Sequence, residues 1–170
     1  MNKAKVTIGL TNPKSPTNVG AVMRAAGCFS ADAVNYTGQR YERAAKYQTD
    51  TKNRIRSIPL TGVECLVKSA PKDAKIICVD LVEGAIPLPD FEHPENACYI
   101  FGPEDGTIEQ DVINQADHVV YIPTIGCLNL AMSVNVVLYD RISKLKTIEA
   151  SDELVCQSRD KNNKVKVKTD

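Results

Sequence analysis

The stretch KIICVDL, residues 75 to 81, carries apolar side chains at consecutive positions. Side chains of an extended strand alternate between its two faces, so a strand with no polar face must be covered on both sides. KVTIGL (5 to 10), AVNYTG (33 to 38), ACYIFG (97 to 102) and HVVYIP (118 to 123) read as further strands, and helical patterns fall between them at 18 to 29, 61 to 69, 107 to 116 and 129 to 145. Thr107 and Gln110 have the spacing of a capping box for the third helix. Strands that alternate with helices predict an α/β fold, a mostly parallel sheet with helices on both faces. Ligands of such sheets lie beyond the C-terminal strand ends. The segments that leave the strands, TNPKSPTNVG, VEGAIPLPD, GPEDGT and PTIGCLN, are therefore where a site is expected.

A chain of 170 residues with 43% apolar content suits one compact domain. Residues 1 to 146 read as that domain, and 147 to 170, polar and without periodicity, as a loosely held tail. No run approaches the ~20 apolar residues of a membrane span, and MNKAKVTIGL enters a strand rather than a signal sequence, so a cytoplasmic location is expected. The six cysteines form no C-x-x-C pair, which predicts reduced, buried small hydrophobes and no metal site. Equal numbers of basic and acidic residues argue against coating nucleic acid by bulk charge. Between residues 40 and 56 the chain nevertheless carries a net +4, with Arg40, Arg43, Lys46 and Arg54 as candidate phosphate contacts; a solvated polar surface is an alternative of equal weight. The KVKVK end of the tail reads as solubilising. Neither a G-x-x-x-x-G-K-[ST] nor a G-x-G-x-x-G loop is present, and His93 and His118, with no G-x-S-x-G elbow, read as structural or surface residues.

NVGAVMRAAGCF, residues 18 to 29, puts Val22, Ala25, Ala26 and Phe29 on a core-facing stripe and Gly20, Arg24 and Gly27 on the opposite side. Each glycine costs roughly 1 kcal/mol relative to alanine inside a helix. Bare backbone on either side of Arg24 would let another chain come close. Taken singly the polar residues here have ordinary roles: Asn18 as an N-cap, Arg24 on the surface, Glu104 near a helix N-terminus, and Asn129 as cap of the final helix. That final helix, LAMSVNVVLYDRISKL, is apolar almost all round and needs a cover on more than one side, either the chain's own core or an identical subunit; the subunit is the preferred reading.

Together N-V-G-A-V-M-R, F-G-P-E-D-G and I-P-T-I-G-C-L-N-L resemble, in order and spacing, the three motifs of the SpoU/TrmH family of SPOUT, or α/β-knot, RNA methyltransferases. The matching residues are Asn18, Gly20 and Arg24, then Gly102 and Glu104, then Ile122, Pro123 and Asn129. Cys127 departs from the usual serine and is a weaker hydrogen-bond donor of similar size.

The resemblance implies a C-terminal trefoil knot, an obligate homodimer and S-adenosyl-L-methionine held by the knot loops, with Val79, Gly102, Ile122, Cys127 and Leu128 around it. It implies that Arg24 of one subunit approaches the methyl group bound by the other, that Asn18, Glu104 and Asn129 shape the pocket, and that a ribose 2′-hydroxyl of RNA is methylated. The L-N-L-x-x-S-V-x-V-V-x-Y-D pattern, without terminal RNA-binding extensions, is most similar to the minimal tRNA wobble-nucleotide methylases, which points to tRNA rather than rRNA. The competing reading is a catalytically silent RNA-binding or assembly protein of the same fold.

Overall fold

The computed structural model describes residues 4 to 46, 58 to 159 and 164 to 168. Its strands are β1 (Val6–Leu10), β2 (Ala33–Tyr36), β3 (Leu60–Gly62), β4 (Lys75–Val79), β5 (Ile86–Pro87), β6 (Ala97–Phe101) and β7 (His118–Tyr121). The helices are α1 (Pro16–Cys28), α2 (Arg40–Ala45), α3 (Leu66–Ser69), α4 (Gln110–Gln115), α5 (Leu130–Leu145) and α6 (Asp152–Ser158). The seven strands form one sheet in the order β3-β2-β1-β6-β4-β7-β5, and every adjacent pair is parallel.

The alternation of the central strands builds the two faces. Ile77 and Val79 of β4, and Tyr99 and Phe101 of β6, join one core with Val19, Val22, Val134, Val137 and Leu138, which belong to α1 and α5. Cys78, Cys98 and Ile100 point the other way and meet Leu66, Ile108, Val112 and Ile113 from the α3 and α4 side. This is the double cover that KIICVDL predicts, with helices on both faces. α1 packs directly against α5.

Several boundaries differ from the sequence reading. α1 begins at Pro16, and its cap is Ser15, whose side chain accepts from the Asn18 N–H; Asn18 is not the N-cap. Proline suits the first helical position because the N–H it lacks has no partner there. Of the helix expected at 61 to 69 only Leu66–Ser69 is helical, because Leu60, Thr61 and Gly62 pair with β2 as an edge strand. α4 starts at Gln110 without a side-chain cap, so Thr107 forms no capping box. The region after Lys146, expected to be an irregular tail, contains α6, where Ser151 accepts from the Leu154 N–H and acidic residues fill the first turn; none of its residues is buried. The cysteines are all free, but only Cys78 and Cys98 are buried; Cys28, Cys127 and Cys156 are exposed, against expectation. Their positions on helix ends, in a loop and on α6 give them no core to enter.

One buried polar network fastens α5 to the segment before β6. His93 lies 2.6 Å from the Tyr99 hydroxyl through Nδ1 and 2.8 Å from Asp140 through Nε2. A carboxylate only accepts, so Nε2–H donates to Asp140, Nδ1 accepts from the Tyr99 O–H, and the Tyr99 oxygen accepts from Arg141. Arg141 also donates to the Pro94 and Glu95 carbonyls, and Lys144 to those of Leu88 and Phe91 as well as pairing with Asp140. Burial pushes the His93 pKa below its ordinary value, outweighing the opposing pull of Asp140. A depressed folded-state pKa means that the unfolded chain takes up the proton first. The contribution of His93 to stability is therefore present above about pH 6.5, the unfolded value, and is lost as pH falls from there through the depressed folded-state pKa. We expect Tm to drop between about pH 7 and pH 5 in the wild type and to drop less in His93→Gln. Equal slopes in the two proteins would refute the assignment.

Candidate active site

The four central strands β1, β6, β4 and β7 are adjacent and parallel, so the loops that leave them gather at one edge of the sheet. Glu104 follows β6. Its carboxylate accepts from the Lys14 N–H (3.2 Å) and the Ser15 N–H (3.3 Å) in the turn after β1, and from the Asn18 side-chain amide (3.3 Å). Asn18 in turn accepts from the Asn129 side-chain amide at 3.1 Å. Asn129 caps α5 as expected, its oxygen accepting from the N–H groups of Ala131 and Met132. Because Ser15 takes over the capping role at α1, the Asn18 side chain is released to bridge the other two. Burial pushes the Glu104 carboxyl pKa up, but the hydrogen bonds from its own N–H, from Lys14, from Asn18 and from Ser15 outweigh that and hold it below the ordinary carboxylate range.

Beside this chain of side chains lies an open pocket. All five residues expected around a cofactor line it, Val79, Gly102, Ile122, Cys127 and Leu128, and Glu104 does too. Its walls are apolar at Val79, Leu81, Phe101, Ile122, Leu128 and Leu130, and they carry two carboxylates, Asp80 and Glu104, with no Lys, Arg or His. The loop after β7 is shaped by the Thr124 hydroxyl, which donates to the Gly126 carbonyl at 2.7 Å, and by Gly126 itself at φ 99°, where a side chain is strained. Asp80 escaped the sequence reading. Its only signal was position, as the first residue beyond β4.

Arg24 stands apart. It is exposed on α1, its side chain makes no hydrogen bond or ion pair with any described residue, and it does not line the pocket. Six residues separate it from Asn18, a rise of about 9 Å along the helix. The two glycines near it are as open as their pattern suggested: a Cβ at Gly20 or Gly27 would meet nothing within 4 Å.

The candidate phosphate contacts are not equivalent. Arg40 donates to both oxygens of Asp105 (2.8 and 3.1 Å) and to the Asn12 carbonyl, tying α2 to the loops after β1 and β6. Arg43 donates to Gln39 within its own turn. Lys46 ends α2, and Arg54 lies outside the described residues. Among the described residues no cluster of His, Cys, Asp and Glu could hold a metal ion, and no helix is long and apolar enough to cross a membrane.

A second, apolar groove runs along α5. Met132 (61% exposed), Val136 (39%) and Tyr139 (63%) form a stripe on the side away from the core, and Val136 and Tyr139 line the groove with Phe29, Leu88 and Pro123. The two-sided apolarity of the sequence thus divides into a buried face and an uncovered one.

The model of the SpoU rRNA Methylase family matches residues 5–139. The chain is 24% identical over 148 residues to a 23S rRNA (guanosine-2′-O-)-methyltransferase, RlmB, of Acinetobacter baylyi, a match that covers 82% of this chain and 60% of that protein. It therefore spans less than two thirds of the curated relative's length. Among solved structures it is similar to the SpoU methyltransferase AviRb from Streptomyces viridochromogenes in complex with the cofactor AdoMet (TM-score 0.68, 18% identity, 86% of this chain and 60% of that one). It is also similar to a protein described for the 2-OH methylation of C/U34 on tRNA (TM-score 0.68, 19% identity, 86% and 94%), and to the A. aeolicus TrmH/SpoU tRNA modifying enzyme (TM-score 0.64, 15% identity, 96% and 83%).

Proposed function

From the premise that this chain belongs to the SpoU rRNA methylase family, we propose that it is an S-adenosyl-L-methionine-dependent methyltransferase acting on a ribose 2′-hydroxyl of RNA. The observation that carries this reading is the linkage of Glu104, Asn18 and Asn129, one residue from each of the three motifs, with Glu104 lining the pocket. The pocket's chemistry fits the cofactor: apolar walls suit an adenine ring, and carboxylates without a competing cation suit a positively charged ligand. Val79, Gly102, Ile122, Cys127 and Leu128 would hold it. When bound, it supplies an electrophilic methyl group on a sulfonium sulfur.

The protein's own task is then to place the hydroxyl and stabilise the negative charge that grows on its oxygen in the transition state. Arg24 suits the second role. A guanidinium with a pKa above ~12 is a poor proton acceptor but an effective donor to an oxyanion or a phosphate. Glu104, Asn18 and Asn129 hold the loops in register around the pocket.

Exposed on α1 and outside its own chain's pocket, Arg24 would serve the pocket of a second copy. The uncovered stripe of α5 supplies the surface for a homodimer with α1 at its edge. Tyr139→Asp should turn the dimer into a monomer in sedimentation at micromolar concentration and abolish methyl transfer with it. A wild-type monomer would refute the shared site.

A knotted C-terminal region within a domain of residues 1 to 146 is part of this reading; it rests on the family, while the side chains of Lys144, Arg141 and Asp140 hold α5 against the segment from Leu88 to Glu95. The substrate proposed is tRNA, bound with help from Arg40, Arg43, Lys46 and Arg54, in the cytoplasm; the tRNA C/U34 relative is matched over most of its own length. Methyl-labelled cofactor with purified tRNA or rRNA, followed by mass mapping of ribose methylation, tests the proposal. Label on tRNA supports it, and label on rRNA corrects the substrate. Cofactor and RNA binding without transfer to either RNA would favour the silent RNA-binding protein instead, with Cys127 as the residue to restore to serine.

A further inference from the structure

Asp80 lines the pocket where β4 ends. Its Oδ1 accepts from the Leu81 N–H at 2.8 Å and its Oδ2 from the Ile108 N–H at 2.9 Å, so backbone donors, and no cation among the described residues, fix its place. A carboxylate offers about four acceptor sites, and these two bonds use roughly half of them on a side chain that lines the pocket. Gly102 makes room for it: a Cβ there would lie 2.5 Å from Asp80 Oδ2. The other carboxylate of the pocket, Glu104, is already committed to Lys14, Ser15 and Asn18.

We propose that Asp80 determines the charge specificity of the pocket, favouring the sulfonium cofactor over the neutral thioether that remains once its methyl group has gone. The proposal rests on the pocket being the S-adenosyl-L-methionine site. At neutral pH the cofactor carries an ammonium, a carboxylate and a sulfonium, a net charge of about +1, whereas S-adenosylhomocysteine keeps the first two and is neutral overall. The two ligands differ by one methyl group and one charge. In a partly desolvated pocket a fixed carboxylate attracts the cation more strongly than bulk water would allow, and that attraction ends when the positive charge is lost. Asp80 thus strengthens cofactor capture and loosens the product.

Calorimetry with three probes tests this: S-adenosylmethionine, S-adenosylhomocysteine, and sinefungin, which carries a protonated amine in place of the sulfonium. Asp80→Asn should weaken the two cationic ligands about tenfold and the neutral one less than threefold. Asn also mispairs with one of the two backbone N–H donors, and Asp80→Ala frees both, but such disorder acts on all three ligands alike. The ratio of cationic to neutral affinity should fall equally in the two variants. Uniform weakening of all three probes, or no change, overturns the role of Asp80 while leaving the cofactor site intact. If the wild type binds none of the probes, the reading of the pocket fails, and the proposal with it.

Discussion

In the Arg24→Ala protein, methyl transfer to RNA should fall about 10²- to 10³-fold, the cost of removing one preorganised donor from a developing oxyanion. Cofactor affinity should stay at the wild-type value, because Arg24 is assigned to the substrate's hydroxyl and phosphate, and the loops after β6 and β7 to the cofactor. Arg24→Lys should recover part of the loss, since it keeps the charge but not the planar fork of donors. Coexpression adds a sharper test. If Arg24→Ala and a pocket-blocked Gly102→Val variant assemble at random, half of the dimers are mixed and each carries one complete site. The mixture should then show about a quarter of wild-type turnover, although each variant alone is inactive. Absence of that recovery would place Arg24 in its own subunit's chemistry or outside it altogether. A parallel fall in calorimetric cofactor affinity would contradict the division of labour between α1 and the loops after β6 and β7.

Arg141→Met should cost about 3 to 5 kcal/mol of stability, with little direct effect on the pocket. Arg141 is only 3% exposed, and its guanidinium serves the Pro94 and Glu95 carbonyls and the Tyr99 hydroxyl together. Methionine matches its apolar stem and leaves three acceptors without donors, the buried Tyr99 hydroxyl and the partly buried Pro94 and Glu95 carbonyls, and an unsatisfied buried acceptor costs roughly 1 to 3 kcal/mol. Lys144→Met, at the more exposed end of the same grip, should cost less. Urea denaturation followed by circular dichroism measures both. A loss below about 1 kcal/mol for Arg141→Met would mean that water replaces the guanidinium and that the segment from Leu88 to Glu95 is not held by it.

Patterns with short sequence range were legible from residue order alone. The two-faced apolarity of Ile76 to Val79 predicted a sheet covered on both sides, and the strand exits of β1, β4, β6 and β7 marked the edge where Glu104, Asn18 and Asn129 meet. Asn129 as a helix cap followed from local chemistry. The five pocket residues came from the family resemblance, not from periodicity. What stayed hidden depends on partners far along the chain. The Asn18 bond to Glu104 joins residues 86 apart, and the Asn129 bond to Asn18 residues 111 apart. Locally, Asn18 and Ser15 are both good caps, and only the fold decides which is spent on the helix and which on the site. The same holds for Arg40, a candidate phosphate contact whose pairing with Asp105 only register brings about, and for His93, whose burial against Tyr99 and Asp140 no flanking residue announces. Periodicity reports which side of an element is apolar, because burial averages over many neighbours. A hydrogen bond needs two particular atoms about 3 Å apart, and that distance exists only once every strand has taken its place in the sheet.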